Sequence, residues 1–129
     1  MAGISASSTR ITLPLAGTRV RIEFPDDEGN LPIFRLRDGA RVGRVVIEER
    51  GSTFFVQTLC IDAAERSYGC GSEAGWLLVR AAEAVGYEFI RSWAPPELGL
   101  AVYFWFRMGL GALHGPGPDG GIWMERRIR

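Results

Sequence analysis

The spacing of apolar positions divides the chain into two regimes. From Ile11 to Asp62 the period is close to two. The stretch I-T-L-P-L-A-G-T-R-V-R-I-E-F-P contains two short β-like pieces, and in the second Val20, Ile22 and Phe24 alternate with Arg19, Arg21 and Glu23. D-D-E-G-N-L-P is dense in turn formers and reads as a loop. The segment I-F-R-L-R-D-G-A-R-V-G-R-V-V-I-E-E-R-G-S-T-F-F-V-Q-T-L-C-I-D then reads as three strands, broken at Asp38-Gly39 and at Arg50-Gly51-Ser52. Connections this short force neighbouring strands to run antiparallel.

After Gly71 the period lengthens to 3.6. Ala74, Leu77, Leu78, Ala81 and Val85 fall on one helical face, Glu73, Arg80 and Glu83 fall off it, and Gly86 stands where a helix would end. Y-E-F-I-R-S-W is a further strand. Pro95-Pro96-Glu97 gives a proline-led, acid-bearing start to a second helix, L-G-L-A-V-Y-F-W-F-R-M, which stops at Gly109. Two last strands, around L-G-A-L-H and I-W-M-E-R-R-I, flank G-P-G-P-D-G-G. The expected order is four or five strands, helix, strand, helix and two strands: an α/β (α+β) fold with a mixed, mostly antiparallel sheet. Without repeats or an internal linker, residues 10–129 are expected to form a single domain behind a frayed, disordered N-terminus at residues 1–9.

Composition narrows the function classes. With 129 residues, 47% hydrophobic and 23% charged, the chain has the ordinary make-up of a globular domain. Its fifteen basic and fifteen acidic residues cancel, so no global positive field draws it to nucleic acid or to a membrane. No apolar run approaches the ~20 residues of a membrane span, and M-A-G-I-S-A-S-S lacks the segments of a secretion signal, so a cytoplasmic location is expected. Cys60 and Cys70 lack C-x-x-C spacing, which suggests reduced thiols and no metal site. All fifteen basic residues are arginine and none is lysine.

The densest chemistry lies at E-R-S-Y-G-C-G-S-E, residues 65–73, where a strand ending at Asp62 breaks into glycines and at once becomes a helix. Such a turn places unpaired backbone N–H groups at the positive end of a helix dipole, which makes an anion cradle. Gly69 and Gly71 would let backbone approach a phosphate and would permit positive φ, while Arg66 could add charge at the rim. Glycines also end strands and open helices without binding anything. A phosphate loop of the G-x-x-x-x-G-K-[ST] kind is excluded by the absence of lysine, and a dinucleotide fingerprint by the antiparallel strands before the loop.

R-S-Y-G-C-G matches the R/Q-x-x-G-x-G/A signature of the GCN5-related N-acetyltransferases. Its setting, a strand L-C-I-D before, an amphipathic helix after, then a strand and a second helix closing in R-M-G-L, also resembles that family. The resemblance is good over about residues 41–128 and loose before them. It implies an N-acetyltransferase that moves an acetyl group from acetyl-CoA to an amine by direct attack. The backbone of Arg66, Ser67, Tyr68, Gly69, Cys70, Gly71 and Ser72 would hold the donor's pyrophosphate. The strand edge at Leu59, Cys60 and Ile61 would pair with its pantetheine arm. Gly71→Val would then block cofactor binding and spare the fold.

Departures from the family pattern bear on the chemistry. The usual tyrosine acid falls at Trp105, with Tyr103 two residues away and about 200° round the helix. The asparagine that often opens that helix is replaced by Leu98. No family-type base is evident: Phe55 stands where some members carry a glutamate, and Ser92 and Trp93 where others carry a carboxylate. Tyr103 and Ser92 are therefore the catalytic candidates, Glu48, Glu49 and Glu97 are candidates by proximity, and His114 has a suitable pKa but lies beside a glycine-proline loop. The helices that members carry between their first two strands are missing, which would leave the acceptor side open. That suits a macromolecular acceptor or a second subunit, and the nearly all-round apolar second helix also suits a homodimer. The alternative is a degenerate fold of this type that binds CoA or a protein and has lost the chemistry.

Overall fold

The structure is a computed structural model; it describes residues 9–62, 64, 69–95, 99–113, 117 and 120–129. The β-period region forms five strands: β1 (Leu15–Ala16), β2 (Val20–Ile22), β3 (Leu31–Arg35), β4 (Arg41–Arg50) and β5 (Thr53–Ile61). Helix α1 (Cys70–Val85), strand β6 (Phe89–Ala94), helix α2 (Gly99–Arg107) and strands β7 (Gly111–Ala112) and β8 (Ile122–Arg127) follow. This is the mixed α+β arrangement expected from the pattern, with α1 starting two residues before Ser72. Among the described residues no helix interrupts β1 to β5, as the short D-D-E-G-N-L-P interval implies.

All eight strands join one sheet in the order β1-β2-β3-β4-β5-β6-β8-β7. Tight turns make the first five strands antiparallel to their neighbours, and the crossover through α1 makes β6 parallel to β5. Val20, Ile22, Ile33, Val45, Ile47, Phe54, Val56 and Ile90 form one buried face of the sheet. Both helices lie on this side. Arg126, whose register partner is Ile90, reaches the Met108 carbonyl beyond the end of α2 and Glu83 of α1.

Alternation explains α1: Ala74, Leu78 and Ala82 are buried one turn apart, with Gly75 and Val79 beside them. The buried stripe is rotated from the expected one, because Leu77, Ala81 and Val85 only flank it. Gly75 is the reason. A Cβ there would stand 2.9 Å from Phe104 Cζ and 3.1 Å from Met108 Sδ, so the missing side chain lets α2 settle against α1. Gly86, at φ 96°, ends α1 as the sequence suggested.

The opposite face of the sheet has no helix over it among the described residues. Its rings are dressed by arginines: Arg21 lies over Phe34, Arg50 over Phe55 and Arg91 over Trp123, at 5.0, 4.6 and 5.5 Å from the ring centroids. Phe55 and Trp123 also meet edge to face at 5.3 Å. The guanidinium planes and their apolar stems shield ring surface that a helix would otherwise cover. No helix among the described residues is long and apolar enough to cross a membrane.

Candidate functional site

The site begins where β5 and β6 part. Their parallel ladder runs only through Thr53, Phe54 and Phe55, opposite Phe89, Ile90 and Arg91. Beyond it, β5 continues to Ile61 along β4, while β6 continues to Ala94 along β8. The two strands therefore open as a fork, and among the described residues no strand pairs with β5 beyond Phe55 on the β6 side. A strand edge without a neighbouring strand offers a row of backbone donors and acceptors to whatever lies beside it.

Two local features shape the fork. The β4/β5 register slips between Val46 and Ile47, which pair with Thr58 and Val56, so Gln57 is the extra residue of a bulge. Ser92 stands at the crotch. Its hydroxyl, 2% exposed, donates to the Val56 carbonyl at 2.8 Å, one residue beyond the last ladder pair. Leu59 and Ile61 point to the helix side with Val45 and Gly43, their register partners, while Cys60 and its partner Arg44 point to the open face.

The fork leads to the start of α1. Gly69 caps the helix at φ 76°, a conformation that favours glycine, and gives no side-chain cap bond to the first N–H groups. Gly71 is shaped differently from the sequence expectation. A Cβ on Gly71 would meet Ile61 Cγ1 at 3.4 Å and Phe104 Cε1 at 3.9 Å, so it points between β5 and α2 at ordinary contact distances. Cys70 is buried, 1% exposed, and is a free thiol like Cys60. Ser72 lines a cleft with Arg19, Gly69, Glu73, Trp76 and Arg80, of about 360 Å³. A second cleft of about 430 Å³, lined by Thr18, Arg19, Arg35, Leu36, Arg37 and Cys70, lies on the other flank of the same turn. Arg66, Ser67, Tyr68, Glu97, Leu98 and His114 lie outside the described residues.

The turn is thus surrounded by cations from several parts of the chain, Arg19, Arg35, Arg37 and Arg80. Sequence reading found the glycine turn but missed Arg19, which lies more than fifty residues away along the chain with no local signal linking it to residues 69–73.

The remaining candidates fall in different places. Tyr103 is 62% exposed on the outer side of α2, its ring under Arg107, and with Leu100 and Phe106 it forms an uncovered apolar ridge. Trp105 is buried at 4% exposure. Phe55 and Trp93 belong to the open face, where Trp93 is the register partner of Trp123. Glu48 accepts from Arg50 and Gln57, and these bonds hold its carboxyl below the usual range against the pull of burial. Glu49 accepts from the buried Tyr87 hydroxyl and from Arg10, which likewise lower it, at the closed end of the sheet. Ser92 and the strand edge at residues 59–61 share the fork, whereas Tyr103 and Glu49 stand apart from it.

No protein family profile and no curated protein sequence matches the chain. Solved structures do. The ribosomal-protein-S18-alanine N-acetyltransferase of Escherichia coli superposes with a TM-score of 0.65 at 15% identity, covering 80% of this chain and 72% of that one. A Bacillus subtilis acetyltransferase in complex with CoA gives 0.64 at 9% identity, covering 78% of each chain. A Vibrio cholerae protein assigned as a ribosomal-protein-serine acetyltransferase gives 0.74 at 13% identity, covering 92% of this chain and 99% of that one. At these identities the likeness establishes the fold, that of the GCN5-related N-acetyltransferases.

Proposed function

We propose that the chain is an acetyl-CoA-dependent N-acetyltransferase. The observation that carries the reading is the fork between β5 and β6, which opens at Val56 and leads to a glycine-capped helix N-terminus flanked by arginines.

The residues present fit the donor. The β5 edge at residues 57–60 offers backbone partners of the kind an amide-bearing pantetheine arm needs, and Leu59 and Ile61 supply apolar contact on the helix side. The N–H groups opening α1, with Arg19 and Arg80 beside them, suit phosphate oxygens. Bound acetyl-CoA supplies an activated thioester carbon. In the transfer a C–N bond forms, the C–S bond breaks, and a proton passes in net terms from nitrogen to sulfur.

The chain's own contribution is then mostly placement. Ser92 holds the crotch of the fork by fixing the Val56 carbonyl, and the Gln57 bulge turns backbone at that point out of the ladder. With no helix over the open face among the described residues, an acceptor amine would approach from the side away from the helices. Such access fits an amine carried on a macromolecule, and the protein named in the Escherichia coli comparison, an acetyltransferase for a ribosomal-protein alanine, is consistent with that. The proton steps have two candidates from the chain, Tyr103 and Ser92. Ser92 already donates its hydroxyl to the Val56 carbonyl and Tyr103 stands apart from the fork, which leaves water as the freer carrier.

One observation favours a second reading. Trp105 is buried where the family's tyrosine acid would stand, so the fold could bind CoA and do little chemistry. Calorimetric titration with acetyl-CoA and CoA, beside a thiol-release assay over a panel of amines and peptide N-termini, separates the two. Binding with acceptor-dependent thiol release supports the enzyme. Binding without release across the panel supports the second reading, and no binding of either nucleotide overturns both.

A further inference from the structure

We propose that Arg19 is a phosphate-binding residue, delivered to the glycine turn from the other end of the chain by the β1–β2 hairpin and held there by Glu73 as a positioning residue. The inference rests on the cofactor reading above and adds to it a contact outside the R-S-Y-G-C-G motif.

The placement is visible at Gly69. A Cβ on that residue would stand 2.8 Å from Arg19 Nη1, so the guanidinium fills the space a side chain would take, directly against the residue that opens α1. Arg19 is also the cation shared by the clefts on both flanks of the turn. A ligand entering from either side meets it.

Glu73, in the first turn of α1, explains how a residue so distant in sequence is held there. Its Oε1 accepts from the Arg19 and Val20 amides at 2.7 and 2.8 Å, and its Oε2 accepts from the Thr18 hydroxyl at 2.8 Å. The whole β1–β2 turn is thereby clamped to the helix. Gly17 completes the fit, since a Cβ there would fall 2.3 Å from Glu73 Oε1.

The electrostatics make the arrangement purposeful. The first turn of a helix carries roughly half a positive charge, so a guanidinium brought against it meets repulsion. Glu73 offsets that repulsion from within the same turn while its oxygens remain occupied by the hairpin. Arg19 and the opening residues Gly69 and Ser72 line the same cleft, an arrangement in which an arriving phosphate would meet both the guanidinium and the positive end of the helix.

The test is calorimetric titration of the full chain with CoA, dephospho-CoA and phosphate-free pantetheine at two salt concentrations. Arg19→Gln, Arg19→Lys, Glu73→Gln and the Arg19→Gln/Glu73→Gln pair are compared with the unaltered protein. Arg19→Gln should weaken CoA by about tenfold or more, the loss of one charge-assisted contact, and make its affinity less sensitive to salt. Pantetheine should be unaffected, and Arg19→Lys should recover most of the loss. A loss shared by dephospho-CoA assigns Arg19 to the pyrophosphate, and a loss confined to CoA assigns it to the 3′-phosphate; either supports the proposal. Glu73→Gln should weaken CoA in the same direction, with the double variant no worse than Arg19→Gln alone, a non-additivity that expresses positioning. Unchanged CoA affinity in Arg19→Gln overturns the proposal while leaving the cofactor reading standing. Failure of the unaltered protein to bind CoA overturns the cofactor reading and this inference with it.

Discussion

Replacing Ser92 by alanine separates a brace from a proton carrier. The hydroxyl is 2% exposed and donates to the Val56 carbonyl at 2.8 Å, at the point where β5 and β6 lose their ladder. Alanine removes one oxygen, so the cavity left is small and the main cost is a buried carbonyl without this donor. A buried polar group left unsatisfied costs about 1–3 kcal/mol. For a chain of 129 residues that corresponds to a Tm lower by roughly 4–11 °C, between the sensitivities of smaller and larger domains. Urea unfolding should show a lower midpoint at unchanged slope, because the surface exposed on unfolding hardly changes. CoA affinity should fall as well, since the mouth of the fork is no longer fixed. A Tm within 1 °C of the unaltered protein, together with loss of turnover at unchanged CoA affinity, would refute the brace and make Ser92 the proton carrier instead.

Two further outcomes follow from the same contacts. Arg35 and the Ala40 amide hold the Asp38 carboxyl at about 2, and Glu48, Glu49, Glu73 and Asp26 are also lowered by their partners. For Glu73 and Asp26 burial pulls the other way and is outweighed by the hydrogen bonds. A depressed folded-state pKa contributes stability above the unfolded value and loses it as pH falls through the folded value, so Tm should drop on acidification from about 4.5 towards 2; a Tm that rises over that window would contradict the assignment. Gly75→Val forces methyls against Phe104 and Met108, already 2.9 and 3.1 Å from a Cβ, and should cost about 1–3 kcal/mol by urea unfolding. A neutral or stabilising effect would refute the close approach of α1 and α2 at Gly75.

The elements were legible because each announces itself locally. The switch from period two to period 3.6 near Gly71 marks where the antiparallel run of β1 to β5 gives way to α1, and Asp38-Gly39 and Arg50-Gly51-Ser52 mark turns that the structure keeps. The glycine turn was legible for the same reason, since its residues are neighbours in the chain. What could not be read is whatever depends on residues meeting across the sheet. The Ser92 to Val56 bond spans thirty-six positions and the Glu73 to Arg19 bond fifty-four, and no periodicity encodes either partner. Gly71 illustrates the limit from the other side. A glycine in a cradle motif suggested open space for a phosphate, but which way its missing Cβ points depends on Ile61 and Phe104, both set by tertiary packing.

The open face gives meaning to the lysine-free composition. A sheet face with no helix over it among the described residues must still keep Phe34, Phe55 and Trp123 from presenting bare rings to water. Arginine does this where lysine would do it poorly, because a planar, weakly hydrated guanidinium stacks on a ring while still donating to a carboxylate. Arg91 shows both at once: it lies over Trp123 and donates to Glu125 at 2.7 Å. Arg50 does the same with Phe55 and Glu48. These stacked ion pairs make the face a finished surface rather than the scar of a missing layer. The face beside the fork is therefore an alternation of rings, guanidiniums and carboxylates, and the closest of these to the fork, Arg91 and the buried Phe55, are the last residues that β5 and β6 share before they part.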